Sequence, residues 1–206
     1  MAAKEAAELA ATGEGGDTGT VPLAVPEDWG LSQFWYAPET STALATEIGR
    51  AADAHGGDGP IAFLACPSTF KAFLLLCSEV SDVVQALGMD RPAYVFEVDE
   101  RFASFGDKFV HYDFNKPMDG IPDSLMGACA AVVMDPPFLN PDCLQAFTST
   151  TMLLAKDLTT TPIMVCTGAV MCKHAKRLLD ARPTKAVIKH EGSRLSNPFA
   201  AFITYD

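Results

Sequence analysis

The stretch Ala130-Ala131-Val132-Val133-Met134-Asp135-Pro136-Pro137-Phe138 decides how the rest of the chain is read. Five apolar residues followed by an acid and two prolines describe a buried strand that stops abruptly, because proline fixes φ and has no N–H to offer a ladder. Upstream, Ile61 to Cys66, Ala93 to Val98 and Phe109 to Tyr112 are similar short runs, and Pro162 to Cys166 is another downstream. Helical patterns separate them. One runs from Pro38 to Gly56-Gly57, and one is capped by Ser68 and carries Phe70, Phe73, Leu74 and Cys77 on one side. A short one from Arg101 to Phe105 is capped by Asp99, and two more cover Pro141 to Ala155 and Val170 to Ala181. The chain closes with Lys185 to His190 and Phe199 to Tyr205, two predicted strands joined by Glu191-Gly-Ser-Arg-Leu-Ser-Asn-Pro. Strands alternating with helices predict an α/β fold: a seven-stranded, mostly parallel Rossmann-like sheet covered by helices on both faces. The closing pair lacks a helix between its members, so one strand is expected to run antiparallel.

A chain of 206 residues fits one α/β domain that buries roughly 70% of its unfolded surface. Residues 1–25 are rich in Ala, Gly and Thr and contain no aromatic side chain, so a disordered tail is expected there and the folded domain at 26–206. That tail has no Arg and several acids, unlike a transit peptide, and no apolar run approaches the ~18 residues that span a bilayer. A soluble, cytoplasmic protein without membrane contact is expected, acting as a monomer. The six cysteines form no Cys-x-x-Cys pair and the four histidines no His-Glu-x-x-His pattern, so reduced thiols and no metal are expected. The net charge of -11 is unevenly spread: residues 1–60 hold two cationic and ten anionic side chains, whereas residues 121–206 hold eight and seven. Seven Lys or Arg fall between Val170 and Arg194, giving a locally basic segment.

Sheets of this kind bind ligands beyond the carboxyl ends of their strands, so those ends are where chemistry belongs. The first, Ala65-Cys66-Pro67-Ser68, lacks the Gly-x-Gly-x-x-Gly of dinucleotide sites, which argues against NAD. Its backbone and the following helix start could still approach a cofactor, making Cys66, Pro67 and Ser68 candidate contacts. At the second end, Glu97 and Asp99 are both candidates: Glu97 to accept hydrogen bonds from ribose hydroxyls, Asp99 mainly to cap the helix. At the third, Asp113 could accept an exocyclic adenine amine while Phe114 packs on the base.

Asp135-Pro136-Pro137-Phe138 matches [Asp/Asn/Ser]-Pro-Pro-[Tyr/Phe/Trp], the signature of enzymes that methylate amino nitrogens. With each residue type used at about 5%, the nine allowed tetrapeptides arise by accident on the order of one time in a hundred in a chain this long. Methyl transfer from a sulfonium such as S-adenosylmethionine needs an in-line nitrogen lone pair, so the protein mainly positions. The Asp135 carboxylate and the Pro136 carbonyl can take the amine's hydrogen bonds, Pro137 stiffens the loop, and Phe138 offers a ring face. These four are the expected catalytic residues of a class I methyltransferase domain. An adenine amine is neutral at pH 7, whereas a lysine must shed a proton at a cost of roughly 4.6 kcal/mol. A carboxylate in place of asparagine can hold the ammonium and assist that loss, which tilts the reading toward lysine. N6-adenine methylation of DNA or RNA and a non-catalytic cofactor-binding scaffold are the alternatives.

Several further stretches carry a family resemblance: Trp29-x-Leu-Ser-Gln-Phe-Trp-Tyr-x-x-Glu-Thr, Ala65-x-Pro-Ser, Phe96-Glu-x-Asp-x-Arg-Phe, Tyr112-Asp-x-Asn-x-Pro, Cys166-Thr-Gly-Ala, Asn197-x-Phe and Tyr205-Asp206. Together with the tetrapeptide, they resemble the eukaryotic elongation factor 1-alpha lysine methyltransferases, once described as N6-adenine-specific DNA methyltransferase-like proteins. The resemblance implies S-adenosylmethionine as cofactor and a lysine of translation elongation factor 1-alpha as substrate, with nucleic acid not expected as a partner. Many members carry Tyr where this chain has Phe138, so a hydroxyl is lost there but the ring face is kept. Trp35 and Tyr36 look like the segment beside the cofactor's methionine end, while Arg194 and Asn197 are candidate substrate contacts in the last loop.

Overall fold

The computed structural model describes residues 25–78, 90–192 and 195–206. The expected tail lies outside the described residues except for Val25. Seven strands form one sheet: β1 (Ile61–Leu64), β2 (Ala93–Glu97), β3 (Phe109–His111), β4 (Ala131–Met134), β5 (Ile163–Gly168), β6 (Arg182–Pro183) and β7 (Phe199–Ile203). Their spatial order is β3-β2-β1-β4-β5-β7-β6. The pairs among the first five strands are parallel, and β7 runs antiparallel to both β5 and β6. This is the Rossmann-like class I methyltransferase arrangement, with the reversed strand in the place the closing sequence pair implied.

Every residue of β1 and β4 is buried, as continuous apolar runs require when helices cover both faces. Successive side chains enter opposite cores: Ile61 and Phe63 pack with Ile48, Phe70 and Phe73, whereas Ala62 and Leu64 pack with Phe96, Met134 and Phe147. The first core is roofed by α1 (Pro38–Ala51) and α2 (Pro67–Ser78), the second by α3 (Pro141–Leu154) and α4 (Cys172–Leu179). Pro38 and Pro141 open their helices at the position where a missing N–H costs nothing. A π-helical turn, Ala52–Gly56, continues α1. There the backbone passes so close to β4 that a Cβ on Gly56 would come within 1.9 Å of the Ala130 carbonyl oxygen.

Three expectations need correction. Ser68 lies inside the first turn of α2 rather than at its cap, since the helix begins at Pro67. The predicted Val170 to Ala181 helix is divided into a 3-10 turn at Ala169–Met171 and α4, which ends where Asp180 takes a left-handed φ of 56°. Lys185 to His190 is not a strand of the sheet. The seventh strand is the two-residue β6, and residues 189–191 instead fasten the segment that leads into α1. Ala37 N–H donates to the Lys189 carbonyl (2.9 Å), Glu191 N–H donates to the Trp35 carbonyl (2.8 Å), and Tyr36 bridges His190 in antiparallel fashion. The alternating pattern found a partner for its backbone groups, but outside the sheet, and left Val187 73% exposed.

Candidate active site

Strand order reverses between β1 and β4, where Leu64 lies in register with Met134. At such a switch point the departing loops part and leave a crevice. Three cross-strand bonds extend the ladders to the lip of that crevice. Asp135 N–H donates to the Leu64 carbonyl (3.0 Å), Ala65 N–H to the Phe96 carbonyl (2.8 Å) and Tyr112 N–H to the Glu97 carbonyl (3.0 Å). Ala65 reaches its place with a left-handed φ of 50°, a conformation non-glycine residues seldom adopt. The glycine expected of a dinucleotide site is therefore absent as a residue type but present as a backbone shape.

A cavity of about 550 Å³ opens here. Its lining includes Cys66, Pro67 and Ser68 from the β1 end, Glu97 from the β2 end, Asp113 and Phe114 after β3, and Asp135 to Phe138 after β4. Gly30 to Trp35 form a strap along one wall, and Asn197 closes another. The structure thus gathers most of the sequence-predicted residues into one cleft. Asp99 does not line the cleft, Arg194 lies outside the described residues, and Tyr36 is buried beside the cleft wall, bordering a neighbouring groove of about 790 Å³.

Glu97 is 5% exposed, and one of its oxygens accepts the N–H groups of Val98 (3.0 Å) and Asp99 (3.4 Å). Burial pushes its carboxyl up to about 7, against the opposing pull of those N–H groups. Asp135 is also pushed up to about 7 by burial; the nearby Tyr36 hydroxyl opposes the rise and the Glu97 charge adds to it. At Asp99 burial acts upward as well, but hydrogen bonds from Arg101 and Gln33 overcome it and hold the carboxyl below its usual range. Asp99 caps the 3-10 segment Glu100–Lys108 by accepting Arg101 N–H (3.0 Å), as predicted.

Asp99 also anchors the strap. The Gln33 side-chain amide donates to Asp99 (2.8 Å), the Arg101 guanidinium grips both Asp99 oxygens (2.6–2.9 Å), and it reaches on to Gln33 Oε1 (3.0 Å) and the Pro26 carbonyl (3.2 Å). Trp35 is pinned in turn, its backbone N–H to Glu27 and its indole N–H to the Val25 carbonyl, both at 2.8 Å. Phe114 meets Phe138 edge-on at 5.7 Å and stacks on Phe147 at 6.1 Å, so an aromatic corner stands where the β3 and β4 ends converge. Phe138 itself is 44% exposed at the rim.

A family model described as Probable N6-adenine methyltransferase matches residues 27–206. EEF1A lysine methyltransferase 1 of Mus musculus is 37% identical over 183 residues, covering 88% of this chain and 77% of that protein. The Danio rerio protein of the same name is 38% identical over 176 residues, covering 85% and 97%. The chain belongs to the EEF1A lysine methyltransferase 1 family. A solved structure, TrmN from Thermus thermophilus, matches with a TM-score of 0.49 at 16% identity, over 81% of this chain and 51% of that one. The N6-adenine wording of the family model is a label for the family, whose named relatives are protein-lysine N-methyltransferases.

Within this family member, sequence reading missed several cavity residues: Gln33, Ala65, His190, Leu195 and Phe199. Gln33, Ala65 and Phe199 left a trace, as parts of the resemblance motifs. His190 stands in a segment read as a strand, yet its ring packs against Tyr36 (4.8 Å) and Phe199 (4.7 Å) at the cleft wall. Burial lowers its pKa, which keeps the imidazole neutral near pH 7. A Cβ on Gly168, at the end of β5, would meet the Leu139 side chain at 2.8 Å, and Leu139 follows Phe138 directly.

Proposed function

We propose that this protein is an S-adenosylmethionine-dependent protein-lysine N-methyltransferase acting on a lysine of translation elongation factor 1-alpha, as a monomer in the cytoplasm. The observation that carries the reading is a half-buried carboxyl, Asp135, placed by a Pro-Pro turn at the switch point and poised near neutrality by its surroundings. The names of the relatives support the substrate. No helix among the described residues is long and apolar enough to cross a membrane.

The cleft fits the cofactor. Its volume of about 550 Å³ lies within the common range for small-molecule sites. Glu97 has one oxygen committed to backbone N–H groups and one unassigned, which suits ribose hydroxyls. Asp113 and Phe114 line the cleft at the β3 end, which supports a role toward an adenine amine and ring. The left-handed turn at Ala65 exposes backbone beside Cys66, Pro67 and Ser68 for the methionine portion. When bound, S-adenosylmethionine supplies an electrophilic methyl carbon.

The chain's own residues then have three tasks. Phe138 and the aromatic corner behind it receive the lysine's methylenes and cationic head, which a ring face attracts. The Pro136 carbonyl accepts a hydrogen bond from the amine and fixes the direction of its lone pair. Asp135 accepts a proton from the ammonium, leaving a neutral nitrogen. A carboxyl titrating near 7 is matched to that role at physiological pH better than an ordinary one near 4. Leu195 and Asn197 border the opposite lip, where Asn197 can contact the polypeptide flanking the lysine. Arg194, outside the described residues, is proposed as a further substrate contact.

The test is transfer of label from S-adenosylmethionine to purified elongation factor 1-alpha, with the modified lysine located by mass spectrometry. Labelled lysine is the expected result. Label on nucleic acid alone would reject the reading, and tight cofactor binding with no transfer to any acceptor would replace it with a scaffold.

A further inference from the structure

We propose that the 3-10 turn Trp29–Leu31 is a docking element for the protein substrate, and that with Phe138 it selects a target lysine whose neighbour in the substrate chain is a large apolar residue. The inference deepens the methyl-transfer reading and rests on it for the identity of the partner, but it is tested on the turn itself.

Leu31 and Phe138 line the same cleft, one from the strap and one from the loop after β4, yet they are 40% and 44% exposed. Trp29, on the same turn as Leu31, is 57% exposed. Single apolar side chains on a surface need no explanation, and Val170 and Val187 are more exposed still. Neither of those lines the cleft. Leu31 and Phe138 border its opening, so a lysine that reaches Asp135 brings its neighbours in the substrate chain against them. An apolar rim continuous with a reactive cleft marks a surface that a partner covers.

The turn is built to hold its side chains in place. Asp28 accepts the Gly30 N–H with a carboxylate oxygen (2.8 Å) and the Leu31 N–H with its carbonyl (3.0 Å), and Ser32 N–H donates to the Trp29 carbonyl (3.2 Å). Ser32 then ends the turn in the left-handed region, at a φ of 57°. Gln33 ties the turn to the domain: its backbone N–H donates to the Asp28 carbonyl (3.1 Å), its Oε1 accepts the Asp28 N–H (3.0 Å), and its amide reaches Asp99 (2.8 Å). A turn fixed in this way loses little freedom when a partner docks.

Its chemistry is apolar although two acids precede it. Glu27 accepts the Trp35 N–H (2.8 Å) with one oxygen and the Trp29 indole N–H (3.1 Å) with the other, while Asp28 caps the turn. These carboxylates serve the strap's own N–H groups, and Trp29 and Leu31 are left to meet the partner. Burial of apolar surface is then the attraction, and an apolar side chain beside the lysine is its complement.

The first arm of the test measures transfer to elongation factor 1-alpha by Trp29→Ser and Leu31→Ser. Each is expected to raise the KM for the protein substrate about tenfold, with kcat and cofactor affinity within about twofold. An unchanged KM in both variants overturns the proposal, and a matching loss of cofactor affinity reassigns the turn to the cofactor. The second arm needs no catalysis. Trp29 and Trp35 are the two tryptophans of the chain, so fluorotryptophan-labelled protein carries two fluorine-19 resonances, assigned through Trp29→Phe. A peptide with one lysine flanked by leucines should move the Trp29 resonance at about one-tenth the concentration required of the same peptide with serines. Equal responses, or none to either peptide, overturn the proposal. Wild-type protein that labels no elongation factor while Trp29 responds as expected rejects that substrate and not the apolar rim.

Discussion

The ends of β2 and β4 each bury a carboxyl, and burial pushes both Glu97 and Asp135 up to about 7, yet the two are held in opposite ways. Glu97 is clamped by backbone N–H groups of its own loop, so its direction is set before any ligand arrives. At Asp135 the Tyr36 hydroxyl opposes the rise that burial causes, and the Glu97 charge adds to it. Asp99, two residues beyond Glu97, is a third case: Arg101 neutralises it and it serves the strap. Three strand-end carboxyls therefore become a fixed acceptor, a group free to exchange a proton and a structural anchor. What separates them is which donor each carboxyl meets, since donors to the charged form offset desolvation.

Substitutions at the two strand ends should separate along that line. Asp135→Asn keeps shape but cannot take a proton, and kcat should fall about 10²–10³-fold with cofactor affinity within about threefold; equal loss of both would merge the two roles. Glu97→Gln should instead raise the cofactor KM about 10–100-fold, the range for losing hydrogen bonds to a charged acceptor, and change kcat by less than about threefold. Phe138→Leu should raise the KM for the protein substrate about tenfold, while Phe138→Tyr, which keeps the ring face, stays within about twofold. Arg101→Ala releases the strap without touching either cleft carboxyl, and about a threefold rise in cofactor KM is expected. A loss as large as that of Glu97→Gln would mean that the strap, not Glu97, dominates the β2 end.

Stability gives a smaller effect with a definite sign. A carboxyl whose pKa is raised by folding binds its proton more tightly in the native state, so the native state loses stability as pH rises from about 4 through about 7. Glu97→Gln removes a charge that folding must bury and should stabilise the free protein at pH 8 by on the order of 2 kcal/mol, or about 4–8 °C in Tm. Near pH 4 the gain should vanish. A gain of the same size at both pH values would show that charge burial is not its source.

Much of this molecule was legible locally. The apolar runs of β1, β2, β4 and β5, the proline-led starts of α1 and α3, and the Asp99 cap each depend on residues within a few positions of one another. The Asp135-Pro-Pro-Phe turn was legible for the same reason, and the parallel sheet then carried Glu97, Asp113 and Cys66 to the same edge. Lys185 to His190 failed because alternation signals a partnered extended segment without saying which partner. Its partner is the Trp35 to Ala37 lead, about 150 residues earlier in the chain.

Composition and spacing alone determined that strands and helices alternate, that a turn rich in proline ends the fourth strand with a carboxyl, and that nitrogen methylation suits that turn. Those are properties of neighbours along the chain. Only the tertiary structure decided that the His190 ring packs on Tyr36, that Gln33 reaches Asp99, and that burial pushes two carboxyls up to about 7 while hydrogen bonds hold a third low. Desolvation and donor geometry are sums over everything packed around a group, and the packing brings together residues the chain keeps far apart.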